Sequence, residues 1–305
     1  MQEKNKVYDL IVIGKGPSAI TCGIYTLRAN MKVLSIGKDF GSMKDTICDN
    51  YYAKYNTTLK DIAKDGMMQF ERLGGDVLTD EVVDVDYDGK NYIIQTIRNG
   101  KYYTKRIFLG IGIRRNNINI PDIKKYEGKG VSYCSICDSF LYKGKDIVLV
   151  SKEENIEKEL DILTKNVAKI YVITKEELEE KRKSDIIKKY NSSKCDIVFL
   201  REDISEIVGE ESIEKVILSN DRKLFVSAIF VAYGVSTNML KAKFNLKLDN
   251  GYIQVDENRR TTIKNIYAGG DIVKGIKQVT KACYDGMIAA YDIIRKGNEE
   301  KWKRI

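Results

Sequence analysis

The chain has 305 residues, 43% of them apolar and 31% charged, a net charge of +8, six cysteines and no histidine. That length holds two ordinary domains with their own cores, and the composition excludes a disordered or fibrous chain. No apolar run approaches a bilayer-spanning length, six cysteines spread over so long a chain make no disulfide scaffold, and no basic run interleaved with aromatics suits nucleic acid.

The first residues lead straight into a strand pattern without an apolar signal core, from which a cytoplasmic location is expected. Tyr8-Asp-Leu-Ile-Val-Ile-Gly14 is a continuous apolar run ended by glycine, the pattern of a parallel strand buried on both faces. It enters Gly14-Lys-Gly16-Pro-Ser-Ala19 and then residues 20–30, whose apolar positions recur at helical spacing. This is the G-x-G-x-x-G/A fingerprint in its strand, turn and helix context. The first glycine makes the turn, the second lets backbone approach a pyrophosphate, and Ala19 permits close helix packing. The next strand, residues 32–36, ends in Gly37 and Lys38 where the pattern expects an acidic residue for the ribose hydroxyls, so a backbone group is expected to replace that contact.

A helix is predicted over residues 58–73. Residues 77–86, 91–98 and 101–109 read as a β-meander with turns at Asp88-Gly89 and Asn99-Gly100, and residues 106–112 as a strand returning to the core. The polar stretch 114–119 marks a domain crossing.

Val131-Ser-Tyr-Cys-Ser-Ile-Cys-Asp138 carries the closely spaced cysteine pair. Cys134 and Cys137 can meet within one turn, and a Cys-x-x-Cys in this setting points to redox or metal chemistry. A zinc site needs two further Cys or His ligands, whereas histidine is absent and Cys22, Cys48, Cys195 and Cys283 are scattered singly. Redox activity is therefore expected, with Asp138 as proton partner; Cys22 and Cys283 read as small core residues.

The second half repeats the first in outline: strand 146–150, helix 153–165, strand 169–173, again a βαβ unit. Its turn has no glycine. Ser151-Lys-Glu-Glu154 reads as a capping box that satisfies the helix amides internally, and Glu153 and Glu154 would repel a pyrophosphate. Thr174-Lys-Glu-Glu-Leu-Glu-Glu180 has the wrong sign for a 2′-phosphate. This frame is expected to bind no nucleotide. Strands are predicted at 195–208, 212–219 and 223–233, a further one ending in Gly269-Gly270-Asp271, and a helix over 274–296. Residues 241–305 hold 14 Lys and Arg against 8 Asp and Glu, a basic region able to steer an acidic partner or simply a bias of composition.

Taken together, the motifs at 14–19, 130–138, 266–271 and 277–282 resemble, in order and spacing over nearly the whole chain, the low-molecular-weight thioredoxin reductases. Without the second nucleotide motif, the chain looks like the ferredoxin-dependent flavin thioredoxin reductases. The resemblance implies an α/β fold of two Rossmann-like, three-layer ββα domains: a FAD domain from residues 1–113 and 241–305, and an inserted dithiol domain, 114–240. It implies FAD along Gly14, Gly16, Pro17, Ser18 and Ala19, with Asp271, Lys277, Gln278 and Val279 at the ribityl and isoalloxazine groups. Gly37, Lys38, Asn50, Val83, Gly112 and Gly270 complete the set. By the same resemblance Cys137 faces the flavin, Cys134 attacks the substrate disulfide and Asp138 moves the proton. The partners implied are thioredoxin and ferredoxin, with a homodimer as the assembly and neither nucleic acid nor membrane. Two alternatives stay open: a disulfide reductase using NADH or another small donor, and a non-enzymatic FAD-binding redox sensor. The lack of an extra N-terminal domain argues against a peroxiredoxin reductase with its own relay.

Overall fold

The computed structural model describes residues 6–40, 47–98, 100–116, 118–191, 194–238, 240 and 245–302. In chain order come β1 (Leu10–Ile13), α1 (Pro17–Arg28), β2 (Val33–Ile36), α2 (Leu59–Arg72) and β3 (Asp76–Leu78). Three antiparallel strands follow at Val82–Tyr87, Tyr92–Thr96 and Gly100–Thr104, and then β4 (Ile107–Leu109). Next are β5 (Val131–Ser132), α3 (Ser135–Asp138), β6 (Asp146–Ser151), α4 (Glu153–Leu163), β7 (Lys169–Ile173), α5 (Glu180–Lys189) and β8 (Asp196–Leu200). Strands Ile204–Val208, Lys215–Leu218 and Lys223–Phe225 precede β9 (Ala228–Ala232), and β10 (Ile266–Ala268) and α6 (Val279–Trp302) close the chain. These elements form two compact units, Met1–Arg114 with Ser236–Ile305, and Arg115–Val235.

In the first unit an all-parallel sheet runs in the order β10, β4, β1, β2, β3. Because side chains alternate across a strand, Leu10 and Val12 point into one core with Ala19, Met67, Phe70 and Ile293 of the helices. Ile11 and Ile13 point into the other, with Val85, Tyr92 and Ile94 of the meander. Helices, parallel sheet and antiparallel sheet thus make three layers.

The second unit repeats the plan. Its parallel sheet runs β5, β9, β6, β7, β8. Ile147 and Leu149 pack with Ile156, Leu160 and Ile186 of α4 and α5, while Val148 and Val150 pack with Ile207, Val216 and Leu224 of the three-stranded sheet. The expected α/β class with two Rossmann-like, three-layer domains is what the chain forms.

Local expectations change at several places, among them residues 195–208, which divide between β8 and Ile204–Val208, and 223–233, which divide between Lys223–Phe225 and β9 in another sheet. Residues 77–86 are two strands, β3 in the parallel sheet and Val82–Tyr87 in the meander, and residues 101–109 likewise divide between Gly100–Thr104 and β4. Ser151 does not cap α4: it pairs with Ala232 as the last residue of β6, its hydroxyl donates to the Lys152 carbonyl at 2.8 Å, and Lys152 occupies the N-cap with no side-chain bond to the helix. The sheet ladder claims the residue that local pattern assigned to the helix. The C-terminal helix starts at Val279, later than expected, after a 3-10 turn at Gly270–Ile272 and Gly275 at φ +132°. Cys22 is fully buried as expected, but Cys283 is only half-buried, beside the Tyr51 hydroxyl at 3.9 Å. Asn99, Lys241 and Lys303 lie outside the described residues.

Candidate functional site

The first unit gathers the sequence motifs of its two chain segments around the N-terminus of α1. Gly14 has φ +123°, and a β-carbon there would lie 2.3 Å from the Gly110 oxygen, so only glycine fits. Gly16, the N-cap, faces open space. Pro17 opens the helix, no side chain caps it and its first turn has no acidic residue, so its amides are available to an anion. Ser18 is buried and donates to the Gly269 carbonyl at 3.2 Å; its hydroxyl would lie 2.6 Å from a β-carbon on Gly270. Residues 14–19 and 269–271 are therefore brought together through Ser18. The open Gly16, the uncapped amides and the missing acidic charge fit the pyrophosphate of a dinucleotide.

Around Asp271 a charged network holds the loop. Burial raises its carboxyl above the usual range, against the pull of Lys277 and Lys281. Lys277 donates to the carbonyls of Asp271 (2.9 Å) and Val273 (3.1 Å). Asn50 donates to the Gln278 side chain at 3.1 Å, so Asn50, Gln278 and the α6 N-terminus at Val279 form one group. Gly112 is left-handed at φ +64° and its carbonyl accepts the Asn238 amide. Gly37 packs on the Lys15 stem, Lys38 pairs with Glu81, and Val83 sits at the register shift of the meander.

Sequence reasoning missed two features here. Lys15, between the two glycines, is buried and reaches Thr79 at 2.7 Å. Fully buried Asp285 accepts from Arg259 (2.7 Å) and the Gly270 amide (2.8 Å) and pairs with Lys281. Its sequence signal is a carboxylate seven residues before Asp292, so that two buried acids share one face of the helix.

In the second unit Cys134 and Cys137 form a disulfide. Cys134 is the N-cap of α3, and its carbonyl accepts the amides of Cys137 and Asp138, both at 3.1 Å. Burial raises the Asp138 carboxyl; the Ser132 hydroxyl, which donates to it at 2.5 Å, and the Arg115 charge oppose that rise without cancelling it. Arg115 itself lies 3.8 Å over the Tyr133 ring. Close to the pair in sequence, Ile136 (69%), Phe140 (72%) and Leu141 (57%) are exposed large apolar side chains.

The helix α4 stands where α1 stands in the first unit, with another charge. Glu153 and Glu154 occupy its first turn, and a cavity of about 610 Å³ beside it is lined by Lys152, Glu153, Glu154, Glu157, Glu176 and Arg182. Glu176 is held below the usual carboxyl range, first by the Thr174 hydroxyl at 2.6 Å and also by the amides of Glu176 and Glu153. The expected capping box is absent, yet carboxylates still crowd this helix end.

The profile of the pyridine nucleotide-disulphide oxidoreductases matches residues 8–286. The chain belongs to that family. Thioredoxin reductases within it are FAD-binding flavoproteins. The chain is 29% identical to the thioredoxin reductase of Peptoclostridium acidaminophilum, covering 93% of this chain and 95% of that protein. It is also 29% identical to a 34.2 kDa protein in the rubredoxin operon of Clostridium pasteurianum, covering 94% and 96%. The crystal structure of thioredoxin reductase from Streptococcus pyogenes has the same fold, with a TM-score of 0.86 at 23% identity, covering 97% of this chain and 100% of that one.

Proposed function

We propose that this chain is a thioredoxin reductase of the FAD-dependent type, fed by reduced ferredoxin in place of NADPH. The observation that carries the reading is the Cys134–Cys137 disulfide with Asp138 raised beside it, in a chain whose first unit offers an open, uncapped anion cradle. FAD, when bound, supplies a carrier that takes electrons singly and passes them on as a pair. Gly14, Gly16, Pro17, Ser18 and Ala19 would hold its pyrophosphate, and Asp271, Lys277, Gln278, Val279 and Asn50 the ribityl and ring end, with Gly37, Lys38, Val83, Gly112 and Gly270 in support.

Reducing the disulfide takes two electrons and two protons and leaves two thiols. Asp138, protonated more readily than an ordinary carboxyl, gives one proton to the sulfur released as the S–S bond breaks. Cys134 then attacks the disulfide of thioredoxin, and Cys137 closes on Cys134 to expel the reduced product. Ile136, Phe140 and Leu141 offer apolar contact to that partner. We further infer the assignment of residues 1–113 and 241–305 to FAD and 114–240 to the dithiol, and a cytoplasmic homodimer. Among the described residues no helix is long and apolar enough to cross a membrane.

The donor reading rests on charge. Glu153, Glu154 and Glu176 surround the helix end that would receive the pyrophosphate of NADPH. A ferredoxin at about −400 mV lies about 130 mV below a thioredoxin at about −270 mV, roughly 6 kcal/mol for two electrons, so the reaction runs downhill. The test of the sulfur roles is Cys134→Ser against Cys137→Ser in the FAD-loaded protein. The first should show a long-wavelength charge-transfer band from the remaining Cys137 thiolate and the second should not; equal spectra would reverse or remove the assignment. Pure, folded protein that takes up no FAD would remove the reading altogether.

A further inference from the structure

Ser132, the last residue of β5, is buried and bonds on two sides. Its Oγ accepts the Cys134 amide at 3.1 Å and donates to Asp138 Oδ2 at 2.5 Å. The Cys134 carbonyl lies 3.4 Å from the same oxygen, a second and more distant acceptor for the same proton. A serine hydroxyl has one proton and two lone pairs. The Cys134 amide uses one lone pair, leaving the proton and the other lone pair to choose between two neighbours.

We propose that Ser132 is a positioning residue of the dithiol site: its hydroxyl gives its proton to Asp138 while that group is a carboxylate, and turns it to the Cys134 carbonyl when Asp138 carries a proton. In the second arrangement the carboxylic acid donates to Ser132 Oγ, so neither protonation state leaves a buried polar group unmatched. The device joins the acid to the backbone of the attacking cysteine through one atom. When Asp138 passes its proton to sulfur, the O–H bond of the acid breaks, an S–H bond forms, and the carboxylate left behind receives the Ser132 hydrogen bond. Among the described residues, the other ionisable groups felt by or feeling Asp138 are Arg115, at the end of a short strand Ile113–Arg115, and Tyr142 in the turn after α3. Arg115 favours the carboxylate from a distance, whereas Ser132 acts through a direct hydrogen bond that reverses direction with the protonation of Asp138 and is stronger when it runs to the carboxylate.

The proposal rests on Asp138 as proton partner of the dithiol, and two measurements separate the ideas. The first follows the carboxyl carbon of Asp138, labelled with ¹³C and assigned by Asp138→Asn, against pH in the oxidised protein. Ser132→Ala removes a bond that favours the carboxylate, so the midpoint should rise by about one pH unit, a tenfold change in the protonation equilibrium. Ser132→Thr, which keeps the hydroxyl, should return it to within a few tenths. Ser132→Cys, close in size with a weak donor, should follow alanine and serves if alanine fails to fold. An unmoved midpoint in folded Ser132→Ala or Ser132→Cys overturns the proposal. The second measurement is the pH profile of iodoacetamide alkylation after reduction with dithiothreitol. If Asp138→Asn leaves that profile unchanged while Ser132→Ala still moves the Asp138 midpoint, the Ser132 bond stands and the proton role of Asp138 falls.

Discussion

Two helices, α1 and α4, follow the central strands β1 and β6 of parallel sheets that share the order of four strands and differ in the fifth, β10 in one and β5 in the other, and their first turns carry opposite chemistry. The α1 end has Gly16 in open space and no acid; the α4 end has Lys152, Glu153 and Glu154, with Glu176 opposite. A helix N-terminus attracts anions because its first amides and its dipole are unsatisfied. One end leaves that attraction to a ligand, and the other meets it with the chain's own carboxylates. The fold is shared, so the capacity to hold a dinucleotide resides in a handful of side chains at the strand ends.

The strongest way to break the comparison is the donor. Losing several charge-assisted contacts of about 1.5–3 kcal/mol each should weaken NADPH at α4 by three or more orders of magnitude. Stopped-flow mixing under anaerobic conditions should show no useful bleaching of the flavin by NADPH or NADH and full bleaching by reduced ferredoxin in two one-electron steps. The ferredoxin rate should fall as salt rises, since an acidic protein is expected to meet the basic C-terminal region. Rapid bleaching by micromolar NADPH would show that α4 binds nucleotide despite its charge.

Next in size is Gly14→Ala. A β-carbon 2.3 Å from the Gly110 oxygen at a positive φ should cost about 3 kcal/mol or more in chemical denaturation and release FAD. Gly16→Asp is a sharper probe, because its side chain enters open space. It should weaken FAD retention about 100-fold in equilibrium dialysis while the cofactor-free protein melts within a few degrees of the parent, making α1 electrostatically similar to α4. The smallest effect belongs to Glu176→Gln. Glu176 has a lowered folded-state pKa, so its contribution is present above the unfolded carboxyl range and fades as pH falls through the folded value. Being exposed, it should change stability by only a few tenths of a kcal/mol, seen as a shallower acid limb in a melt-versus-pH series, and should not by itself restore reduction by NADPH.

Strands buried on both faces were legible because they must be apolar throughout: residues 10–13 and 147–150 show it, and the glycines of 14–16 mark the turn; Tyr8, read into the same strand, instead pairs with Thr104 beside the meander. Ser151 was misread because its pairing with Ala232 is remote in sequence, and a local Ser-x-x-Glu pattern cannot register a sheet partner 81 positions away. The division of residues 77–86 between two sheets escaped for the same reason. The dithiol and Asp138 stood in one motif, but the Asp285 clamp on Gly270 joins Arg259, Lys281 and a backbone amide that only tertiary structure brings together.

Gly286 of α6 comes so close to α1 that a β-carbon would lie 2.2 Å from the Ser18 carbonyl, and Ser18 in turn touches Gly269. These contacts join residues from opposite ends of the polypeptide, with a continuous unit of 115–235 between them. During synthesis at about 5–20 residues per second, that middle unit can complete its sheet while the first remains an open layer without β10 or α6. The cradle closes last. If FAD is held in this cradle as proposed, its capture waits on residues 266–302, and a chain arrested before Ile266 would carry the dithiol unit without the cradle.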